Sequence, residues 1–189
     1  KYQNTCRNSQ KSGLIRKNKL DEHTQKNDFI RAFYADHTFE VDFISADNSI
    51  EINEVLESIY QQQASIAKSK ALLEDQAVEV FGKEILRLAD KVGKGWLSLL
   101  TSEKVTSQTY IPKYILDAIA FSCGHKLASQ ILYKMCCYRL SNPMAVFEDK
   151  DKPIQFFTEN HSDINACINE FEKQCPDDDL TYLIGLLGR

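Results

Sequence analysis

Little in this chain interrupts a helix: seven glycines and four prolines are spread over 189 residues. So few turn-formers argue against a many-stranded sandwich and for long helices. No apolar run reaches the roughly 18 residues of a membrane span, because Asp117, Lys126, Lys134 and Arg139 interrupt the best candidate. No signal-peptide pattern opens the chain. Also missing are G-x-S-x-G, H-E-x-x-H, a paired C-x-x-C and the dinucleotide fingerprint, which removes the commonest nucleophile, zinc and cofactor signatures. Gly93-Lys94-Gly95 resembles a phosphate loop only superficially, since the longer G-x-x-x-x-G-K-[ST] spacing is absent. No cofactor and no metal are expected. Lys1 stands where an initiator methionine is usual, so the expectation is a piece of a larger protein.

Apolar residues make up 43% and charged residues 26%, enough of each for a folded, water-facing domain with a real core. Six cysteines, at 6, 123, 136, 137, 167 and 175, lack the dense spacing of small secreted scaffolds, and two are adjacent. They read as reduced thiols of a protein working in a reducing, cytoplasmic compartment. The sequon Asn160-His161-Ser162 is too short a match to carry weight.

Charge is unevenly placed. Lys1, Arg7, Lys11, Arg16, Lys17 and Lys19 fall in the first twenty residues, which contain no acid. The other 17 basic residues face all 27 acids, leaving −10 on the remaining 169 residues. The reading is a basic, flexible arm over 1–20, too polar to fold unaided, joined to an acidic helical domain over 21–189. Leu14, Ile15 and Leu20 are the arm's only apolar anchors.

The pattern predicts a short amphipathic helix over Asp28–Asp36. Alternation of Phe39, Val41 and Phe43 with Glu40 and Asp42 then predicts a half-buried strand, allowing at most a small hairpin near 38–52. From Asn53 to Phe81 there is no glycine or proline. Ile52, Ile59, Ile66, Leu73 and Val80 recur every seven residues, but Gln62, Ser69, Gln76 and Lys83 occupy the complementary seam. One or two long helices lying on the domain fit this better than a dimeric coiled coil. An amphipathic run through Val92 stops at Gly93, and Trp96, Leu97, Leu99 and Leu100 form a core-filling knot. Pro112 suits the start of a central helix over about 112–140, buried on both sides, with a break at Gly124 as the alternative. Ser162 would cap a helix over Asp163–Gln174, and Asp177–Asp179 would open a last helix.

Cys123, His125, Cys136 and Cys137 crowd the stretch 121–140. On one helix Cys123 and Cys137 would be about 20 Å apart, too far to share a metal. Cys123 as a nucleophile, with His125, His161 or His37 as its base, is the enzymatic alternative; a buried thiol acting as a small hydrophobe is the simpler one. Glu159, His161 and Asp163 resemble an acid–base or metal cluster, and helix capping accounts for them more simply.

The expected architecture is therefore mainly α, a single helical-bundle-like domain. The expected function is a non-catalytic interaction or targeting module. Its partner is a protein, or an anionic phospholipid surface met by Arg7, Lys11, Arg16, Lys17 and Lys19, which would make it membrane-associated. Nucleic acid is disfavoured, because the acidic remainder repels a long polyanion. The alternative is a thiol hydrolase or transferase built on Cys123.

Overall fold

The computed structural model describes the backbone of residues 2–141 and 151–187, with side chains from Lys11 onward in them. The described residues are mainly helical and contain no strand. Two compact units divide at 114/115, the start of α7, within the stretch that the sequence pattern reads as one domain. None of the helices among the described residues is long and apolar enough to cross a membrane.

In the first unit α1 (Tyr2–Thr24), α2 (Phe39–Ser45), α3 (Ser49–Ile59), α4 (Gln63–Leu73) and α6 (Lys94–Ser102) surround or adjoin α5 (Val78–Val92). α5 is central because Phe81, Ile85, Leu88 and Ala89 recur at helical spacing and are all buried. Leu56, Leu73 and Leu97 close over that stripe. Each such side chain contributes roughly 1.5–3 kcal/mol on leaving water. Gly82 lets α2 come close, since a Cβ there would sit 3.4 Å from Val41 Cγ1. Asn48, 1% exposed, ties α2 to the segment before α7: its Nδ2 donates to the carbonyls of Phe43 (3.0 Å) and Tyr110 (2.8 Å), and its Oδ1 accepts the Tyr110 N–H (2.8 Å).

The second unit packs α7 (Lys113–Ser122), α8 (Ser129–Ser141), α9 (Asp151–Glu159), α10 (Ile164–Gln174) and α11 (Asp179–Leu186) around Leu116, Leu132, Cys136, Ile168, Phe171 and Ile184. Pro153 sits in the first turn of α9, where its missing N–H removes no helical hydrogen bond. Asp178 caps α11 by accepting the Leu180 N–H at 2.9 Å.

Several local expectations are corrected. The segment 28–36 is not helical; Asn27 Oδ1 accepts the Phe29 N–H at 2.9 Å, an Asx turn that competes with a helix start. The strand expected over 39–43 is α2. Phe39 and Phe43 satisfy a period of two and a helical i, i+4 pair alike, and their rings lie 5.8 Å apart. The one or two long helices expected from Asn53 are three, broken at Tyr60–Gln62 and again at Glu74–Ala77, where Asp75 accepts the Ala77 N–H. The stretch 112–140 takes its broken form. Gly124 (φ +62°) ends α7 in a Schellman motif, the His125 N–H reaching the Ala120 carbonyl and the Gly124 N–H that of Phe121, both at 2.9 Å. The cap of α10 is Asp163, which accepts the Ala166 N–H, rather than Ser162. In the knot, Leu97 alone is buried; Trp96 and Leu99 are 57% and 61% exposed.

Candidate functional site

Residues 2–24, the bulk of the basic arm, form one continuous helix, α1. Lys1 lies outside the described residues, and Arg7 lies in α1 without a described side chain. Sparse apolar content explains why nothing in its sequence signals a packed helix, yet α1 packs on α5. Lys17 Nζ pairs with Asp21 at 3.0 Å and sits 5.0 Å from the centre of the Tyr34 ring. Tyr34 Oη donates to Asp21 Oδ1 at 2.9 Å. The hydrogen bonds from Lys17 and Tyr34 hold the Asp21 carboxyl below its usual range. Lys17 and Asp21 thus tie α1 to the segment that follows it.

At about 100° per residue, Ile15 and Lys19 fall opposite that pair, with Arg16 on one flank and Lys11 and Glu22 towards the other. All are exposed. Of the expected anion-binding residues, Lys11, Arg16 and Lys19 lie on an exposed face of α1, and Lys17, although paired with Asp21, is itself 46% exposed. Leu14 (60% exposed) and Leu20 flank this face. Beyond α1 the chain turns at Asn27, leaving the ring of Phe29 91% exposed. Periodicity reads Phe29 and Ile30 as a buried stripe; the turn-forming Asn27-Asp28 pair ahead of them is the signal that points outward.

The thiol candidate is built differently. Cys123 is the C-cap of α7 and is exposed, so it is not the buried hydrophobe of the simpler reading. Cys123 thus stands at the C-terminal end of a helix, not at the N-terminal end where catalytic thiols are commonly found. His125 follows in the left-handed region (φ +54°), with its ring edge against Phe121 and its Nδ1 3.2 Å from the Leu186 carbonyl oxygen. His37 is placed by Asp42, which its Nδ1 meets at 3.1 Å, and His161 Nδ1 lies 3.1 Å from the Thr158 carbonyl oxygen. The buried thiols are Cys136, Cys167 and Cys175. Burial, with Asp178 beside it, pushes the Cys175 thiol up to about 12 against the opposing pull of Arg139. No group of three or more metal-ligating side chains occurs among the described residues.

Two polar or apolar features escape sequence reasoning altogether. Buried Glu84 accepts from the Ser69 hydroxyl and from Arg87 Nε at 2.7 Å, and Arg87 also reaches Tyr60 Oη at 2.6 Å. Burial pushes the Glu84 carboxyl up, but Arg87 and Ser69 outweigh it and leave it low. A network that closes on itself in this way is structural. The second feature is an apolar cleft of about 130 Å³ between α2 and α6, lined by Phe39, Phe43, Ile52, Ile85, Leu97 and Val105. Glu40 lies at its edge, paired with Lys94 at 3.3 Å.

No family model matches the chain, and neither a curated protein nor a solved structure is similar to it. The candidate site therefore rests on these residues alone.

Proposed function

We propose that this chain is a non-catalytic targeting module that binds an anionic membrane surface through α1. The observation that carries the proposal is the exposed face of α1, where Lys11, Arg16 and Lys19 stand beside Ile15, with Lys17 paired to Asp21 and set against the Tyr34 ring. A lipid headgroup is small, so the −10 on residues 21–189 does not exclude it as it would a long nucleic acid. Each cation near an anionic leaflet contributes about 1 kcal/mol. Replacing Lys11, Arg16 and Lys19 by Glu should weaken binding to phosphatidylserine-containing vesicles on the order of a hundredfold, measured by co-sedimentation at low salt. Equal binding to neutral phosphatidylcholine vesicles, or none to either, would sink the proposal.

A protein partner is the second reading, supported by α6, where Trp96 and Leu99 stand exposed one turn apart. Aromatic anchors of this kind dominate protein interfaces. Its signature is a captured partner lost with Trp96→Ala and Leu99→Ala but kept when the three α1 cations are reversed.

A further inference from the structure

We infer that Phe29 and Ile30 are the segment of this module that inserts among the acyl chains of an anionic bilayer, an inference that rests on the membrane reading of α1. The ring of Phe29 is 91% exposed and Ile30 is 56% exposed. An isolated exposed leucine means little on a protein surface, but a phenylalanine with almost no protein cover beside a half-exposed isoleucine is a different matter.

The tip is built. Asn27 Oδ1 accepts the Phe29 N–H at 2.9 Å, and the Asn27 carbonyl accepts the Ile30 N–H at 3.4 Å. On the near side the Asn27 N–H closes onto the Thr24 carbonyl at 3.1 Å, continuing the last turn of α1. On the far side Tyr34 returns to α1 through its 2.9 Å hydrogen bond to Asp21. The excursion between Thr24 and Tyr34 is thus pinned at both ends, and its apex is the apolar pair.

Charge decides among the candidate occupants. Lys26 precedes the pair and Arg31 follows it, with Asp28 between, and residues 1–31 together carry eight cations against three acids. A second copy of the same segment would meet this excess of +5 with its own, so self-pairing is opposed. An anionic leaflet complements it, and the interface between headgroups and acyl chains is where an aromatic ring beside cations is best accommodated. The α1 cations supply the long-range attraction, and the apolar tip supplies the contact that holds once the surface is reached.

The test uses the full chain with Phe29→Trp and Trp96→Phe, which moves the protein's single indole to position 29. Both native side chains are exposed, so folding should survive the exchange. On addition of phosphatidylcholine–phosphatidylserine vesicles, the emission should shift to the blue and be quenched by brominated acyl chains. Separately, Phe29→Ala should weaken vesicle binding about tenfold while leaving its salt dependence, set by the cations, unchanged. Binding to vesicles with an unquenched, unshifted indole overturns the insertion and leaves the α1 proposal standing. Failure of the parent chain to bind anionic vesicles at all removes both. Shielding of the indole by a protein partner, without response to vesicles, overturns insertion in favour of a protein interface.

Discussion

Arg139 gives the most demanding test of the second unit. Its side chain is 10% exposed and lies between two acids, with Nε 2.9 Å from Asp178 Oδ2 and a terminal nitrogen 2.6 Å from Asp179 Oδ1. Those carboxylates are themselves 9% and 13% exposed. Arg139→Ala removes the guanidinium from two adjacent carboxylates that have little contact with water, the situation in which breaking a buried pair costs about 3–5 kcal/mol. Asp178 keeps its second role, accepting the Leu180 N–H, so the low end, about 3 kcal/mol, is expected. Arg139→Met should cost nearly as much, because the loss is charge pairing rather than volume. Adding Asp178→Asn and Asp179→Asn to Arg139→Met should restore much of the difference, since neutral amides tolerate burial better than lone carboxylates.

Urea unfolding of the full chain, followed by ellipticity and by maleimide labelling of the thiols, measures this. The buried Cys136, Cys167 and Cys175 all belong to the second unit, so their protection reports its opening. A cost below about 1 kcal/mol for Arg139→Ala, in the range of an exposed ion pair, would refute the reasoning.

The orientation of α6 makes a paired prediction: Leu97→Ala, at a side chain 2% exposed, should cost about 2–5 kcal/mol, whereas Leu99→Ala, at one 61% exposed, should change stability by less than about 0.5 kcal/mol in the same urea titration. Alkaline pH should act through Cys175. Its thiol is raised from an ordinary value near 9 to about 12 in the folded chain, so the unfolded chain loses its proton first. The stability tied to the neutral buried thiol is complete below about 9 and is lost as pH climbs through about 12. Cys175→Ala should flatten that part of the pH–stability profile, and an unchanged slope would place the alkaline loss elsewhere.

Helices that bury one clean stripe were legible in the sequence. α10, with Cys167, Ile168 and Phe171, and α11, with Leu180, Leu183 and Ile184, carry their burial at helical spacing and open on acidic caps. α5 likewise carries its burial at helical spacing and ends at its glycine. α2 was ambiguous because a five-residue window cannot separate period two from an i, i+4 pair. Its buried Asp42, accepting from the His37 backbone N–H at 3.2 Å, is the polar-inside residue that made alternation look like a strand. The break at Tyr60–Gln62 carries no glycine or proline, so nothing local announces it; there tertiary packing of α3 and α4 overrides good helix propensity. Of the candidate site, the cations were visible in sequence. Which of them is paired was not, because Tyr34, seventeen residues beyond Lys17, helps to fix that pairing.

That division of labour within α1 bears on how the proposed targeting would work. A helix with so few apolar residues obtains little stability from burial, and isolated helices are marginal in water. Lys17, Asp21 and Tyr34 join its C-terminal half to the following segment, leaving Lys11, Arg16 and Lys19 free of that task. With +5 on residues 1–31, the remaining 158 residues carry −9. An anionic leaflet repels that remainder as it attracts α1, but at physiological ionic strength the field fades over about 8 Å. Only charges close to the surface enter the balance, so the α1 cations and the apolar tip weigh more in docking than acids lying farther than that from the leaflet. The same screening makes the docking reversible: raising the salt weakens the α1 cations, and a single pair such as Phe29 and Ile30 is too small an anchor to hold the chain alone.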